Sequence, residues 1–304
     1  LKMFSLGQAI RELRQKMGLS QKELASGICN QAQISNIEKN NYTPSAMLLN
    51  QISTKLGVDM NYFFEMQESY KIEYISNSKK YIRQLVRNRD YENLYFTILS
   101  EKKHPYYQEK ENLQFILWHE AICIHYVKNN SKLAFEMLDE ALHITNNKRY
   151  YTEQEMEILN SIAVIKRETG FFEESEQLFR KALKKLCEIP KITNHLIELK
   201  LLFGLAQLLT DIENYEESLH YCEKGIKICN QAEILSILGE FLYQRGVNLA
   251  RLGNCEEARK SFEQSIHIFE IQNNTFLLES VKENQAALLG EKIKNGSAQE
   301  FLRE

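Results

Sequence analysis

Five anchors, Leu94, Ala134, Ser175, Ser218 and Ala258, recur along this chain at steps of 40, 41, 43 and 40 residues. Each opens a helical pattern after a short break. A large residue is expected four positions on and a small one seven on. Ala134 is followed by Leu138 and Ala141, Ser175 by Phe179 and Ala182, Ser218 by Cys222 and Gly225, and Ala258 by Phe262 and Ser265. Twelve positions before the anchor a second small residue is expected where two helices cross; Ala163, Ala206 and Gly246 fit and Ile122 does not. Sixteen before stand Trp118, Leu159, Leu202 and Leu242. Leu94 has Ile98 but then Glu101, so the first unit is degenerate. A repeat in this range is the mark of a helical solenoid, in which each unit buries its apolar face on its neighbour. Strand-like alternation is absent. Pro44, Pro105 and Pro190, the three prolines, fall where helices should start or join, so the fold class is all-α.

The first 65 residues follow a different rule. Leu6, Ile10, Leu13 and Met17 form one apolar stripe that stops at Gly18. Ser20 and Glu23 have the spacing of a capping box for a second helix, whose buried side is carried by Leu24 and Ile28, with Ala25 small enough for a close helix approach. A very short turn at Cys29–Asn30 leads to a third helix, Gln31 to Lys39, capped by Asn30 and burying Ile34 and Ile37. Pro44 suits the first turn of a fourth helix burying Leu48, Ile52 and Leu56 and ending at Gly57. Asp59 is expected to cap a short fifth helix bearing Tyr62, Phe63 and Phe64.

Charge and cysteine usage exclude several classes. The net charge of −3 is no nucleic-acid sponge, yet residues up to Met66 carry seven basic against five acidic side chains. That asymmetry fits an N-terminal DNA binder. The six cysteines form no Cys-x-x-Cys pair, so no zinc site or redox motif is indicated, no metal or cofactor is expected, and buried reduced thiols are the expectation. The chain opens without a signal peptide and has no apolar run long enough for a bilayer, so the expected compartment is the cytoplasm, with no membrane partner. No phosphate loop and no Ser–His or Cys–His catalytic arrangement appears, apart from His119 and Cys123 at i, i+4, which read better as packing or ligand contacts. The chain is not expected to be an enzyme.

The N-terminal pattern resembles the helix-turn-helix domains of the phage-repressor and Cro class. The resemblance is carried by Leu13, Arg14, Gly18-Leu19-Ser20-Gln21, Leu24-Ala25, Ile34-Ser35, Ile37-Glu38, Pro44 and Leu56. The turn looks one residue shorter than the commonest form and without its usual glycine. With Ile34 and Ile37 inward, Gln31, Ala32, Gln33, Ser35 and Asn36 face outward. The resemblance implies that the third helix enters the major groove, with Gln31, Ala32 and Asn36 as base readers. Gln and Asn can bridge two groups of adenine, and Ala can touch a thymine methyl. Gln21, at the start of the second helix, is expected to hold phosphate through backbone and side chain; Lys22, Lys39 and Asn40 add backbone contacts.

The repeats resemble the tetratricopeptide repeat in right-handed solenoid form, though their period exceeds 34 residues and implies longer first helices. In that family the first helices line a concave surface. By its phase the exposed positions are Lys79, Arg83, Val86 and Arg87; His119, Cys123 and Tyr126; Asn160, Val164 and Arg167; Lys200, Phe203, Gln207 and Thr210; and Glu240, Tyr243, Val247 and Arg251. Amides can bond a peptide backbone from both sides, and Arg can clamp a carboxylate.

The combination resembles the peptide-pheromone receptors of Gram-positive bacteria, the Rap–NprR–PlcR–PrgX group, and within it the PlcR-type regulators. Local matches are Ile28-Cys29-Asn30-Gln31, Gln114-Phe115 with Trp118, Tyr215-Glu216-Glu217-Ser218-Leu219 and Tyr243-Gln244-Arg245-Gly246. The resemblance implies a homodimeric activator on a palindromic operator in double-stranded DNA, controlled by a short signalling peptide. It implies a helix-turn-helix domain over 1–65, a linker helix over 66–89 leading into the first repeat, a repeat domain over 70–294 and a frayed tail over 295–304. Arg87 and Arg89 would hold peptide acids and Asn160 would clamp the peptide backbone. The matching amide of the fourth repeat falls at Gly204 and is missing, leaving Gln207 as the substitute. Glu240 stands where the family has Gln, which suggests a diverged signal. Two alternatives stay open: an interaction module with vestigial DNA binding, and a regulator answering a redox signal, through Cys123, or a small molecule.

Overall fold

The computed structural model describes residues 4–145, 151–186 and 195–290, which form fifteen α-helices and one 3₁₀ turn, with no strand among the described residues. They divide into two compact units, Leu1–Val127 and Lys128–Glu304.

The first unit opens with α1 (Leu6–Lys16), α2 (Gln21–Ala25), α3 (Gln31–Glu38) and α4 (Ala46–Lys55). Local chemistry sets each start. The Ser5, Asn30 and Ser45 side chains accept the N–H of Gln8, Gln33 and Leu48, and Ser20 and Glu23 complete the reciprocal capping box. Gly18 and Gly57 stop α1 and α4 at φ of 71° and 69°. Ala9, Ile10, Leu13, Leu24, Ile34, Ile37, Ile52, Leu56 and Phe63 share one core. Gly7 lets α1 lie on α3: a Cβ there would sit 1.9 Å from the Ile37 carbonyl oxygen.

Three boundaries differ from the sequence reading. α2 ends at Ala25, so the turn into α3 runs from Ser26 to Asn30, and Gly27 adopts φ 79° within it. The turn therefore has a left-handed glycine, and Ile28 packs from the turn, not from a helix. Pro44 precedes the Ser45 cap, because the hydroxyl claims the capping position. The fifth helix is not short: α5 runs unbroken from Asn61 to Arg87. No Gly or Pro interrupts residues 61–87, so the helix propagates straight through the boundary expected at 65/66. Asp59 accepts the Asn61 N–H from outside the helix, and Met60 occupies the cap. The unit closes with α6 (Tyr91–Glu101), the 3₁₀ turn Pro105–Tyr107 and α7 (Lys110–Tyr126); α5 packs on α6 and α6 on α7.

The second unit contains α8 (Ser131–Ile144), α9 (Glu153–Glu168), α10 (Phe172–Leu186), α11 (Leu196–Asp211), α12 (Tyr215–Gln231), α13 (Leu238–Arg251), α14 (Cys255–Ile271) and α15 (Thr275–Leu289). Each helix packs on the next, and α9, α11, α13 and α15 also pack on one another in turn. That second set of contacts makes a row of first helices, the hallmark of stacked hairpins.

All five anchors are fully buried, each at the fourth residue of its helix. The serine anchors do more than fit. Ser175 and Ser218 each donate their hydroxyl at 2.7 Å to the carbonyl of the small residue twelve positions earlier, Ala163 and Ala206. Bulky rings fill the space left by glycines: Phe179 lies against Gly204 and Phe262 against Gly246. The extra repeat length was expected in the first helices. The first helices α7, α9 and α11 have 17, 16 and 16 residues, and the second helices α12 and α14 have 17, so the extra length is shared between first and second helices. The last helix, α15, starts at Thr275 and is capped by Gly290, with φ 67°; Cys187, Pro190 and the tail 295–304 lie outside the described residues.

A Cβ at position 204 would approach the Phe179 ring to 2.5 Å. Gly204→Ala is therefore expected to destabilise the second unit by about 1–3 kcal/mol through overpacking. Chemical denaturation followed by helical circular dichroism measures this; an unchanged midpoint would mean that the ring has room to move.

Candidate nucleic-acid interface and ligand face

In the first unit, α3 is held by a buried ion pair. Arg14 Nε donates to Glu38 Oε1 at 2.6 Å and Arg14 Nη2 to Glu38 Oε2 at 3.0 Å, while Nη1 donates to the Leu19 carbonyl at 2.6 Å. The hydrogen bonds to Glu38 raise the Arg14 pKa, against the cost of burial. The pair ties the C-terminal end of α3 to α1 and to the loop before α2. Both residues belong to the repressor-like pattern, but a pairing across 24 positions carries no local signal.

With Ile34, Ile37 and Glu38 buried, the opposite side of α3 is left to solvent. Gln31, Ala32 and Asn36 are exposed there, as are Lys39, Asn40 and, on α2, Lys22; Gln33 and Ser35 are half-buried. Gln21 differs from expectation. Its Nε2 donates to Glu38 Oε2 at 2.8 Å, so the side-chain N–H group expected on phosphate is turned inward. The Glu38 carboxylate, already facing Arg14, is the nearer and stronger acceptor.

Further along the first unit, Arg83 and Arg87 lie one turn apart on the exposed side of α5, and Arg89 follows the helix end at φ 56°. Lys79 and Arg83 both stand over the ring of Phe115, at 5.0 and 5.2 Å from its centroid. The second repeat's expected exposed residues are mostly core. His119 is buried, with Nδ1 2.8 Å from the Phe115 carbonyl oxygen, and Cys123 is fully buried. Tyr126 stacks on Tyr91 at 4.0 Å. The cause is α7 itself, which buries every residue from Gln114 to Cys123 and so has no solvent side over that stretch.

In the second unit, Asn160, Val164 and Arg167 form a half-buried stripe on α9. Lys200, Phe203 and Gln207 form one on α11, and Glu240, Tyr243 and Val247 one on α13. Several are committed locally. Lys200 Nζ donates to Glu157 at 2.9 Å, Arg167 lies 3.5 Å from Asp211, and Phe203 meets Phe241 edge-on. Thr210, expected on this face, is consumed by a polar chain. Gln244 Nε2 donates to its hydroxyl, Thr210 donates to Asn248 Oδ1, Asn248 Nδ2 donates to Ser218 Oγ, and Ser218 donates to the Ala206 carbonyl. Position 204 points at Phe179 and could not present an amide. Asn160 Oδ1 and Gln272 Oε1 are buried amide oxygens that accept no hydrogen bond, and of the two Asn160 belongs to the stripe on α9.

The thiols speak against a redox trigger at the expected place. Burial pushes Cys123 and Cys222 up to about 12 and Cys229 up to about 11. A buried thiol with so high a pKa supplies almost no thiolate at neutral pH. Among the described residues no His, Cys, Asp and Glu cluster could hold a metal, and no helix is long and apolar enough to cross a membrane.

Two measurements test this geometry. Glu38→Gln is expected to destabilise the first unit by about 3–5 kcal/mol, since it leaves a buried guanidinium without its counter-charge; a denaturation midpoint matching the parent would remove the pair from its structural role. Native-state alkylation followed by peptide mass mapping is expected to modify the exposed Cys255 while sparing Cys123, Cys222 and Cys229. Rapid labelling of Cys123 would contradict its burial.

Residues 79–290 match the RNPP family C-terminal domain and residues 10–63 match a helix-turn-helix family. No curated protein matches the chain at a significant level. Among solved structures, PlcR of Bacillus thuringiensis in complex with the peptide PapR7 and DNA is 27% identical, with 93% of this chain and 98% of that chain covered and a TM-score of 0.64. The apo form of the same protein is 25% identical over 91% and 98% of the two chains, with a TM-score of 0.70. ComR of S. thermophilus, in complex with DNA and its signalling peptide ComS, shares the fold at 17% identity, covering 93% and 99%, with a TM-score of 0.53.

Proposed function

The chain belongs to the RNPP family, and we propose that it is a transcription regulator that binds a palindromic DNA site as a homodimer and answers to a short peptide. In this reading α3 enters the major groove. Gln31, Ala32 and Asn36 meet base edges, helped by Gln33 and Ser35 at the groove wall, while Lys22, Lys39 and Asn40 and the backbone N–H of Gln21 meet phosphate. One such module gives few contacts, so two are set on half-sites related by a two-fold axis. The dimer acts as an activator when its ligand is bound.

The ligand half rests chiefly on Asn160. A buried amide oxygen without a donor costs about 1–3 kcal/mol. An extended peptide lying along α9, α11 and α13 brings a backbone N–H to that atom, with Val164, Phe203, Tyr243 and Val247 supplying apolar contact and Arg167, Lys200, Gln207 and Glu240 polar contact. On the first unit, Arg83, Arg87 and Arg89 supply cations for acidic groups of a ligand. Switching requires only that the peptide prefer one dimer geometry, with a coupling of about 1–3 kcal/mol.

Short peptides encoded beside the gene should tighten binding of the full chain to its operator. Asn160→Ala is expected to weaken peptide affinity roughly tenfold, the equivalent of one lost hydrogen bond to a buried acceptor, measured by fluorescence polarisation with labelled peptide. Unchanged affinity would take Asn160 out of the ligand site.

A further inference from the structure

The solvent side of α5 carries a charge pattern that its own helix leaves unmatched. Counting outward from the exposed Ser76, further exposed residues fall at four, seven and eleven positions on either side: Ile72 and Lys80, Ser69 and Arg83, Glu65 and Arg87. At the period of an α-helix these lie along one stripe. The stripe is symmetric about Ser76 in spacing but not in charge. Glu65, Glu68 and Glu73 precede the centre, Lys80, Arg83 and Arg87 follow it, and no acidic residue follows Glu73 within the helix. The one cation before the centre, Lys71, is half-buried and paired with Glu68 and Glu109.

A helix stabilised by its own charges sets an acid four positions ahead of a base. Here the spacing defeats that. Three and four positions after Glu65 stand Glu68 and Ser69, and after Glu73 stand Ser76 and Asn77. Three and four positions before Lys80 stand Asn77 and Ser76, and before Arg87 stand Gln84 and Arg83. Like charges adjoin at both ends, which disfavours the helix on its own. Between them Ser69 and Ser76 are small, and Ile72 leaves 60% of its surface exposed. Two such stripes can approach closely at the middle.

We propose that α5 pairs antiparallel with α5 of a second copy of this chain, about a two-fold axis through Ser76. The surface rests on the homodimer reading above and adds which face pairs and in which direction. A two-fold contact is self-complementary, so every pair occurs twice. Glu65 of each copy faces Arg87 of the other, Ile72 lies along the aliphatic stem of Lys80, Ser76 meets Ser76, and Glu73 shares a flank with Lys80. Parallel pairing sets acid against acid and base against base, which charge repulsion forbids. Phe63 fixes the head to α5 about 20 Å before the axis by helical rise, so the two heads are held about 40 Å apart. That is close to the roughly 34–36 Å between half-sites one turn of DNA apart. Arg87 then answers to two acids, Glu65 of the second copy or one on the ligand, which links the pairing to the ligand.

Sedimentation velocity of the full chain measures the pairing. The parent is expected to be a dimer that loosens as salt rises. One variant carries Glu65→Lys with Glu73→Lys, and another Lys80→Glu with Arg87→Glu. Each alone sets like charges face to face and should dimerise more weakly by roughly tenfold or more. Their equimolar mixture restores opposite charges at both ends and should form a heterodimer with about the parent's affinity, which also shows that both variants are folded. Ser76→Cys in the otherwise unaltered chain should give, on mild oxidation, a disulfide joining position 76 of the two copies, identified by peptide mapping. The α5 surface is overturned if either double variant dimerises like the parent, if the mixture associates no better than its components, or if oxidation joins no pair at position 76. A parent dimer indifferent to all these changes rejects the α5 surface alone. A parent that stays monomeric both free and on DNA rejects the homodimer reading, and this surface with it.

Discussion

One helix has to satisfy two cores at once. α5 buries Phe63 among the residues of the helix-turn-helix head, then, about 30 Å on by helical rise, buries Ile82 and Leu85 where it packs beside α6. Between these ends the helix is strapped to the head. Phe4 stacks on Tyr70 at 3.7 Å, Gln67 Nε2 donates to the Phe4 carbonyl, and the Tyr70 hydroxyl donates to Glu12. Tyr74 donates to Glu101 at the end of α6 and stacks on His104. The head therefore has no loose joint at residue 66. Its orientation is that of the helix bearing Lys79, Arg83 and Arg87.

The second unit depends on a different constraint, the close crossing of paired helices. A serine or alanine anchor is tolerated where a larger side chain would force the helices apart. Serine adds a hydrogen bond to a carbonyl that is already used within its helix, and so uses the second lone pair. From Ser218 that bond extends through Asn248 and Thr210 to Gln244, across three helices. A buried polar chain with every member partnered is rigid, because each bond fixes the direction of the next. This places Thr210 in the framework and leaves Asn160, on α9, as a buried amide oxygen without a donor.

Much of this was legible because it is local. Ser20 with Glu23, Asn30 and Ser45 act within three residues, and the anchors act at a fixed repeat distance, so spacing alone reveals them. What stayed hidden was long-range or depended on burial from several sides. Arg14 and Glu38 are 24 positions apart, and nothing near either announces the pair. Gln21 reads as an exposed phosphate contact until Glu38 is placed beside it. His119 and Cys123 read as surface positions by repeat phase, but α7 is enclosed along its middle and the phase loses its meaning there. The turn before α3 was misjudged because Ile28 fits the stripe of α2, while Gly27 ends that helix first. Gly204 was taken for a lost amide, whereas the Phe179 ring occupies the direction any side chain would take.

The most direct test of the central claim is selection of bound sequences from a random double-stranded DNA library by the purified full chain, with deep sequencing of each round. The account predicts an inverted repeat with half-sites about one or more helical turns apart, centre to centre. It also predicts that Asn36→Ala alters the preferred base at one position of each half-site while the spacing is kept. A library that shows no enriched motif, or a motif unchanged by substitutions across the exposed side of α3, would contradict it.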